Sequence, residues 1–216
     1  MSNTAGKAYA MNVVTPVPPA WTWINRLLFM VARALPITLS GLLGLSLIHF
    51  ARWVIIKRSQ WPAMGQGPQP LKNDYVLFCS NFNGTWDQYI DAFADGIPGG
   101  LDLFWYTSTK YPHSIPISSF KDYIGFNQIA TNYYYNATPG SAQRDIKAAL
   151  GLHREILALA EVHARGPAGF QAAYRACLTK VQNRLSSPGR APIASVSTQN
   201  ADAARQKYID AHQAAA

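Results

Sequence analysis

The sequence predicts an α+β fold, in which an antiparallel sheet carries helices on one face and is preceded by a membrane-associating helix. Three observations predict this fold. Short apolar runs rich in β-branched and aromatic residues alternate with Gly/Pro turns, which is typical of strands. Apolar residues at helical spacing follow some of these runs. The first third of the chain is apolar and basic, and its first acidic residue is Asp74.

The positive charge is concentrated near the N-terminus. The net charge is +8, and seven basic residues precede Asp74: Lys7, Arg26, Arg33, Arg52, Lys57, Arg58 and Lys72. They lie among Trp, Leu, Phe and Ile and do not form a Lys/Arg cluster, which favours anionic lipid over nucleic acid as a partner. The charged fraction of 14% is below the roughly 25% of ordinary globular proteins, which also favours a membrane or a large apolar partner.

The N-terminal 44 residues divide into two predicted segments. Residues 1–20 are small, polar or proline-rich, and this composition predicts an extended arm. For residues 21–44 the sequence predicts a membrane-associating helical segment. A helix from about 21 to 35 would carry basic side chains on one face and apolar ones on the other, with aromatic anchors. The predicted membrane contacts are Trp21, Trp23, Arg26, Leu28 and Arg33.

Two other interpretations of this segment stay open. Residues 34–51 are an uncharged run of 18, near the lower limit for a single membrane span. The segment could instead be a buried helix that covers the sheet of its own domain.

Residues 45–185 predict the α+β domain, and residues 186–216 a flexible C-terminal tail. Four runs predict strands: 45–56, 75–82, 101–108 and 128–137. Gly84 suits a turn with positive φ, and Thr85 suits the N-cap of a helix that carries Trp86, Ile90 and Phe93. Two later helices carry apolar residues at helical spacing: Ile146, Leu150 and Leu157 in one, and Phe170, Tyr174, Cys177, Val181 and Leu185 in the other.

The predicted order β-β-α-β-β-α favours a ferredoxin-like two-layer sandwich. The segments IHFARWVII, LFCSNFNGTWDQYIDAF, GLDLFW and NYYYNATPG resemble those of small bacterial membrane-associated proteins of the dimeric α/β-barrel type. These are distantly similar to domains related to dye-decolourising peroxidases, a haem-binding family. The resemblance implies a homodimer and, for a peroxidase-like activity, a haem cofactor, although no GxxDG motif is present.

Several polar residues are candidates for a ligand pocket. They sit in apolar strands or at the polar turns that end them: His49, Arg52, Asn81, Asn83, Asp87, Lys121, Gln128 and Tyr134. The corner from Asn81 to Asp87 is either a structural joint or a binding site, and we expect the joint. The two cysteines show no spacing typical of a metal site or a disulfide framework.

These observations predict a binding protein or an accessory subunit of a membrane complex, without catalysis. Its expected partners are membrane lipid and a second copy or a larger membrane complex. Its expected place is the inner membrane, with the globular domain on the cytoplasmic side. The alternative is an oxidoreductase, either haem-dependent and peroxidase-like or cofactor-free.

Overall fold

The computed structural model describes residues 3–34, 47–60, 65, 67, 69–167 and 169–182. Within them one antiparallel sheet is formed by the strands β1 (Thr4–Ala5), β2 (Ala8–Val17), β3 (Ile48–Ile56), β4 (Asp74–Asn83) and β5 (Gln128–Ile129). The helices are α1 (Thr22–Ala34), α2 (Trp86–Gly96), α3 (Pro98–Trp105), α4 (Ile117–Asn127), α5 (Gln143–Ala164) and α6 (Phe170–Val181). The prediction of an α+β fold with an antiparallel sheet and helices is confirmed.

Strand β2 lies at the centre of the sheet. It pairs with β4 over its whole length, from Ala8 opposite Asn83 to Val17 opposite Asp74. Strand β3 pairs with the far side of β4. The other side of β2 is shared, since β1 pairs with it near Ala8 and β5 pairs with it at Asn12 and Val13.

The position of β2 differs from the arm predicted for residues 1–20. Val13 and Val17 are fully buried, so this stretch belongs to the sheet. Pro16 lies inside the strand, and proline argues against a central strand when only the sequence is read. The domain therefore begins well before residue 45, and residues 186–216, the predicted tail, lie outside the described residues.

The hydrophobic core lies between one face of the sheet and helices α1 to α4. Strand residues such as Phe78 and Phe82 contact Trp86, Tyr89 and Trp105 in a single cluster. Phe82 and Tyr89 are stacked with their ring centroids 3.7 Å apart. Aromatic side chains bury about 150–250 Å² each and dominate the energetics of a core.

The predicted strand at 101–108 is wrong, because residues 101–105 belong to helix α3 and the chain turns after them. Leu101, Phe104 and Trp105 are buried, and their spacing of three and four is helical. Pro98 occupies the first turn of the helix, where its missing N–H costs nothing. A short apolar run is compatible with the period of a strand and with that of a buried helix, and the strand period was assigned to this run.

The predicted strand at 128–137 is confirmed only for Gln128 and Ile129. Beyond them the chain leaves the sheet, since β1 occupies the next part of the β2 edge. Side chains hold the irregular segment instead. Asn12 donates to Thr131 Oγ1 at 3.0 Å, and Asn136 donates to the Ala5 carbonyl at 3.1 Å.

Helices α5 and α6 confirm the two late helices, although their predicted apolar stripe is not fully buried. Leu150 and Leu157 are exposed, whereas Gly151 is buried on another face of α5. Cys177 and Val181 are buried on α6. Leu185 lies outside the described residues.

Candidate functional site

Helix α1 is oriented by two buried polar side chains. Thr22 and Asn25 are 4% and 1% exposed. Thr22 Oγ1 donates to Asp74 Oδ2 at 2.6 Å, and Thr107 Oγ1 donates to Asn25 Oδ1 at 2.6 Å. Buried polar groups are costly unless they are hydrogen-bonded, so these two bonds fix the rotation of the helix about its axis.

The opposite side of α1 presents apolar side chains to the exterior. Trp23, Leu27 and Met30 are 63%, 51% and 66% exposed, and Val31 is exposed beside them. Steps of three and four place these four residues, the outward stripe, on one face of the helix. An ordinary surface helix turns its apolar face to the core and its polar face to water. Helix α1 packs Phe29 and Ala32 against the core, but it also buries Thr22 and Asn25 and leaves the outward stripe exposed.

The predicted membrane contacts of this segment are mostly exposed. Trp21 lies 46% exposed directly before the helix. Arg26 and Arg33 are exposed along one flank of the outward stripe, whereas Leu28 is half-buried. The bonds of Thr22 and Asn25 turn the side of the helix that carries these two residues inward. The exposed face is therefore rotated about the helix axis relative to the membrane-contacting face predicted from the sequence. Arg33 also stands in the last turn, where a cation is favoured by the helix dipole.

A groove of about 340 Å³ opens between α1 and the end of β3. Its lining combines cationic, amide and apolar side chains: Arg26, Phe29, Met30, Ile55, Lys57 and Gln60. Among the described residues, no carboxylate lines it. The volume lies at the lower end of the range of roughly 300–1,000 Å³ that is usual for ligand pockets.

The corner after β4 is built as a structural joint. Gly84 has φ +94°, and the predicted N-cap is confirmed, since Thr85 and Gln88 form a reciprocal capping box. Asn83 is 9% exposed and bonds on both sides. Its Nδ2 donates to the Lys7 carbonyl at 2.8 Å, and its Oδ1 accepts from the Gln143 N–H at 2.9 Å.

His49 lies beside this corner. It occupies the irregularity between Ile48 and Phe50 in the pairing of β3 with β4. Burial lowers the pKa of His49, and its contact with the Asn83 side chain offsets part of that shift. Its Nε2 is buried and has no hydrogen-bond partner in the part of the chain that the structure describes. The structure thus brings His49 and Asn83 together, on the side where Asn83 joins β4 to α5.

Asp87 and Lys121 meet in an ion-pair network between α2 and α4. Lys121 Nζ lies 2.9 Å from Asp87 Oδ1 and 2.8 Å from Asp91 Oδ1. Burial alone would lower the pKa of Lys121, but the two carboxylates outweigh it and raise that pKa. This lysine is held between two acids, so the pair serves to join the two helices.

The four other candidates take separate positions. Gln128 is buried, and its Oε1 accepts a hydrogen bond from Trp86 Nε1 at 2.7 Å. Arg52 is exposed on β3 opposite Cys79, and Asn81 is half-buried on β4. Tyr134 is half-buried in the irregular segment after β5. Within the described ranges no group of three or more His, Cys, Asp or Glu residues could hold a metal ion.

Comparisons with known proteins do not assign a family. No family model, curated protein or solved structure matched the chain. In the residues that the structure describes, no helix is both long enough and apolar enough to cross a bilayer. The last four residues of the alternative span at 34–51 belong to β3, and residues 35–46 lie outside the described ranges.

Sequence reasoning missed part of this site. Met30, Ile55, Lys57 and Gln60 were not predicted as functional residues. The signal in the sequence was the pair Thr22 and Asn25, the small polar residues of α1 at a spacing of three. A pair of uncharged polar residues on one side of a short apolar helix indicates the side that needs hydrogen-bond partners.

Proposed function

We propose that this chain is a membrane-associated α+β binding protein that docks on an anionic bilayer surface through the outward stripe of α1. The observation that carries the proposal is the apolar stripe that this helix leaves exposed. Two buried hydrogen bonds hold Thr22 and Asn25 inward, and Trp23, Leu27 and Met30 face outward. Exposed apolar side chains on one helix face are typical of an interaction surface.

Charge favours a bilayer over a neutral apolar partner. Helix α1 carries Arg26 and Arg33 and no acidic residue. Amphipathic helices with basic and Trp-containing surfaces lie in the interface of anionic membranes. The anionic leaflet of the inner membrane that faces the cytoplasm attracts such segments, which supports a cytoplasmic position for the domain.

The strand order supports a finer description of the fold. With β1, α3 and α4 left out, the elements as far as β5 follow as β2, α1, β3, β4, α2 and β5, and the order across the sheet is β5–β2–β4–β3. This is the arrangement of a ferredoxin-like sandwich, which we propose for the domain. We also propose that the protein acts as an accessory subunit of a membrane complex. Its assembly is a homodimer or a larger membrane complex.

The test is co-sedimentation of the full chain with vesicles of phosphatidylcholine containing phosphatidylglycerol. Replacing both Trp23 and Leu27 by Ser should reduce the partition coefficient by about tenfold or more, because each half-exposed side chain contributes about 1 kcal/mol when it enters the interface. Tyr133→Ser is the matched control, since Tyr133 is 83% exposed outside α1. Equal binding of wild type and the double variant would contradict the proposal.

Charge is tested in the same assay. Arg33→Glu should weaken binding to the anionic vesicles by about fivefold or more, since a basic residue near such a surface contributes about 1 kcal/mol. It should have little effect on binding to pure phosphatidylcholine. Deleting residues 1–44 is not a suitable test, because it removes the central strand β2 with the helix.

The oxidoreductase alternative stays a prediction. It requires a haem or another reactive group in contact with the domain. A stoichiometric Soret band in the purified protein would favour it over the binding function.

A further inference from the structure

We infer that the groove between α1 and the end of β3 binds the head group of one anionic phospholipid. Arg26 and Lys57 lie at the phosphate in this arrangement, and Phe29, Met30 and Ile55 contact the glycerol and the first carbons of an acyl chain. The inference rests on the proposed function, because it names the ligand that the membrane-docked protein takes up.

The lining of the groove is complementary to an anionic head group. Of the described side chains that line it, two are cationic, Gln60 adds an amide, and none is acidic. The acidic residue close by in the fold is Asp74, which is buried and already accepts hydrogen bonds from Thr22 Oγ1 and from the Arg58 N–H. Asp74 is therefore engaged in holding α1 and the turn that follows Lys57.

The apolar half of the lining selects an amphiphile. Free phosphate would leave uncovered the apolar surface that Phe29, Met30 and Ile55 present to the groove. Met30 is 66% exposed and belongs both to the groove and to the outward stripe. An acyl chain that leaves the groove past Met30 therefore continues along the surface that we propose to lie on the bilayer. A site lined by both apolar and cationic side chains matches a phospholipid at the level of its phosphate.

The two cationic side chains of the groove come from different elements of the fold. Arg26 is on helix α1, and Lys57 directly follows strand β3, so one ligand bound to both links two elements. Arginine and lysine differ in their role, since guanidinium can bind phosphate in a bidentate manner and the ammonium acts as a point charge.

The test uses a short-chain phospholipid that is soluble as a monomer. Dihexanoyl phosphatidylglycerol is titrated by calorimetry, below its critical micelle concentration, into the full-length protein. We expect the double variant Arg26→Gln/Lys57→Gln to bind it at least tenfold more weakly than wild type. The matched control is Arg154→Gln/Lys72→Gln, which removes the same charge at two exposed positions outside both the groove and helix α1. The control should lose less than threefold.

Three results would overturn the inference. The first is an equal loss in both double variants, which would mean general charge attraction. The second is wild-type affinity in the groove variant. The third is competition by inorganic phosphate at the concentration at which the lipid binds, which would mean a free-phosphate site. The vesicle assay separates this inference from the proposed function. If the chain fails to sediment with vesicles, the docking proposal fails, whereas loss of groove specificity with vesicle binding retained overturns only the lipid site.

Discussion

Replacing Asn83 by Ala should destabilise the domain and leave membrane binding intact. The Asn83 amide joins three parts of the chain, since it lies at the end of β4, donates to the Lys7 carbonyl and accepts from the Gln143 N–H. Each hydrogen bond contributes about 1 kcal/mol net, and an unpaired buried group costs about 1–3 kcal/mol. Gln143 is the first residue of α5, where water can replace part of the loss.

The expected loss is therefore about 2–3 kcal/mol in the free energy of unfolding. At about 2–4 °C per kcal/mol for a protein of this size, the melting temperature should fall by roughly 4–12 °C. Urea unfolding followed by circular dichroism measures the free energy directly. Asn81→Ala is the control, because Asn81 lies on the same strand and is only half-buried, and it should lose less than about 1 kcal/mol.

The reasoning fails if Asn83→Ala is as stable as Asn81→Ala. It also fails if Asn83→Ala keeps its stability but loses vesicle or short-chain lipid binding per folded molecule, because the corner would then be a binding site.

Three further predictions concern the same framework. Gly6→Ala should cost about 2–4 kcal/mol of stability, because φ is +64° and a Cβ would lie 2.0 Å from the Pro139 carbonyl oxygen, whereas Gly140→Ala, with open space around it, should be nearly neutral in the same urea titration. Thr85→Ala should cost about 1 kcal/mol through loss of the capping box, and an undiminished urea midpoint would contradict this. Burial lowers the pKa of His49 below 6.5, so the unfolded chain binds a proton on this imidazole at higher pH than the folded chain does. The free energy of unfolding should therefore fall as the pH drops from about 6.5 towards the pKa of His49 in the folded protein. His49→Gln should remove that part of the pH dependence.

Much of the local structure could be predicted from short-range signals. Strands β3 and β4 and the capped helix α2 follow from apolar runs and from Asn83-Gly84-Thr85, where backbone preferences and tertiary contacts agree. The strand β2 could not be predicted, because Pro16 lies in it and its partner β4 follows about 60 residues later. Helix α3 was predicted as a strand because the short, largely apolar run at its C-terminal half fits both a strand and a buried helix.

The candidate pocket could not be assembled from the sequence for a related reason. A polar residue in an apolar strand shows that it needs a partner, but not where that partner lies. Gln128 is hydrogen-bonded to Trp86, Lys121 forms ion pairs with two carboxylates, and Asn83 is hydrogen-bonded to backbone groups on two segments. Each of these pairs has an ordinary structural use. The candidate site lies instead on α1, in the segment for which the sequence predicts membrane contacts, and the buried bonds of Thr22 and Asn25 decide which face is outward.

The most direct test of the proposed docking surface places nitroxide labels on α1. Trp23→Cys, Leu27→Cys and Met30→Cys introduce exposed thiols, and the native Cys79 and Cys177 are buried. Tyr133→Cys is the control on an exposed residue outside α1. Electron paramagnetic resonance then compares the accessibility of each label to oxygen, which concentrates in the bilayer, and to a water-soluble nickel complex. With anionic vesicles present, we expect the three α1 labels to gain oxygen accessibility and lose contact with nickel, while the label at 133 stays in water. If the three α1 labels stay as accessible to nickel as the label at 133, the outward stripe does not contact the membrane and the proposal is wrong.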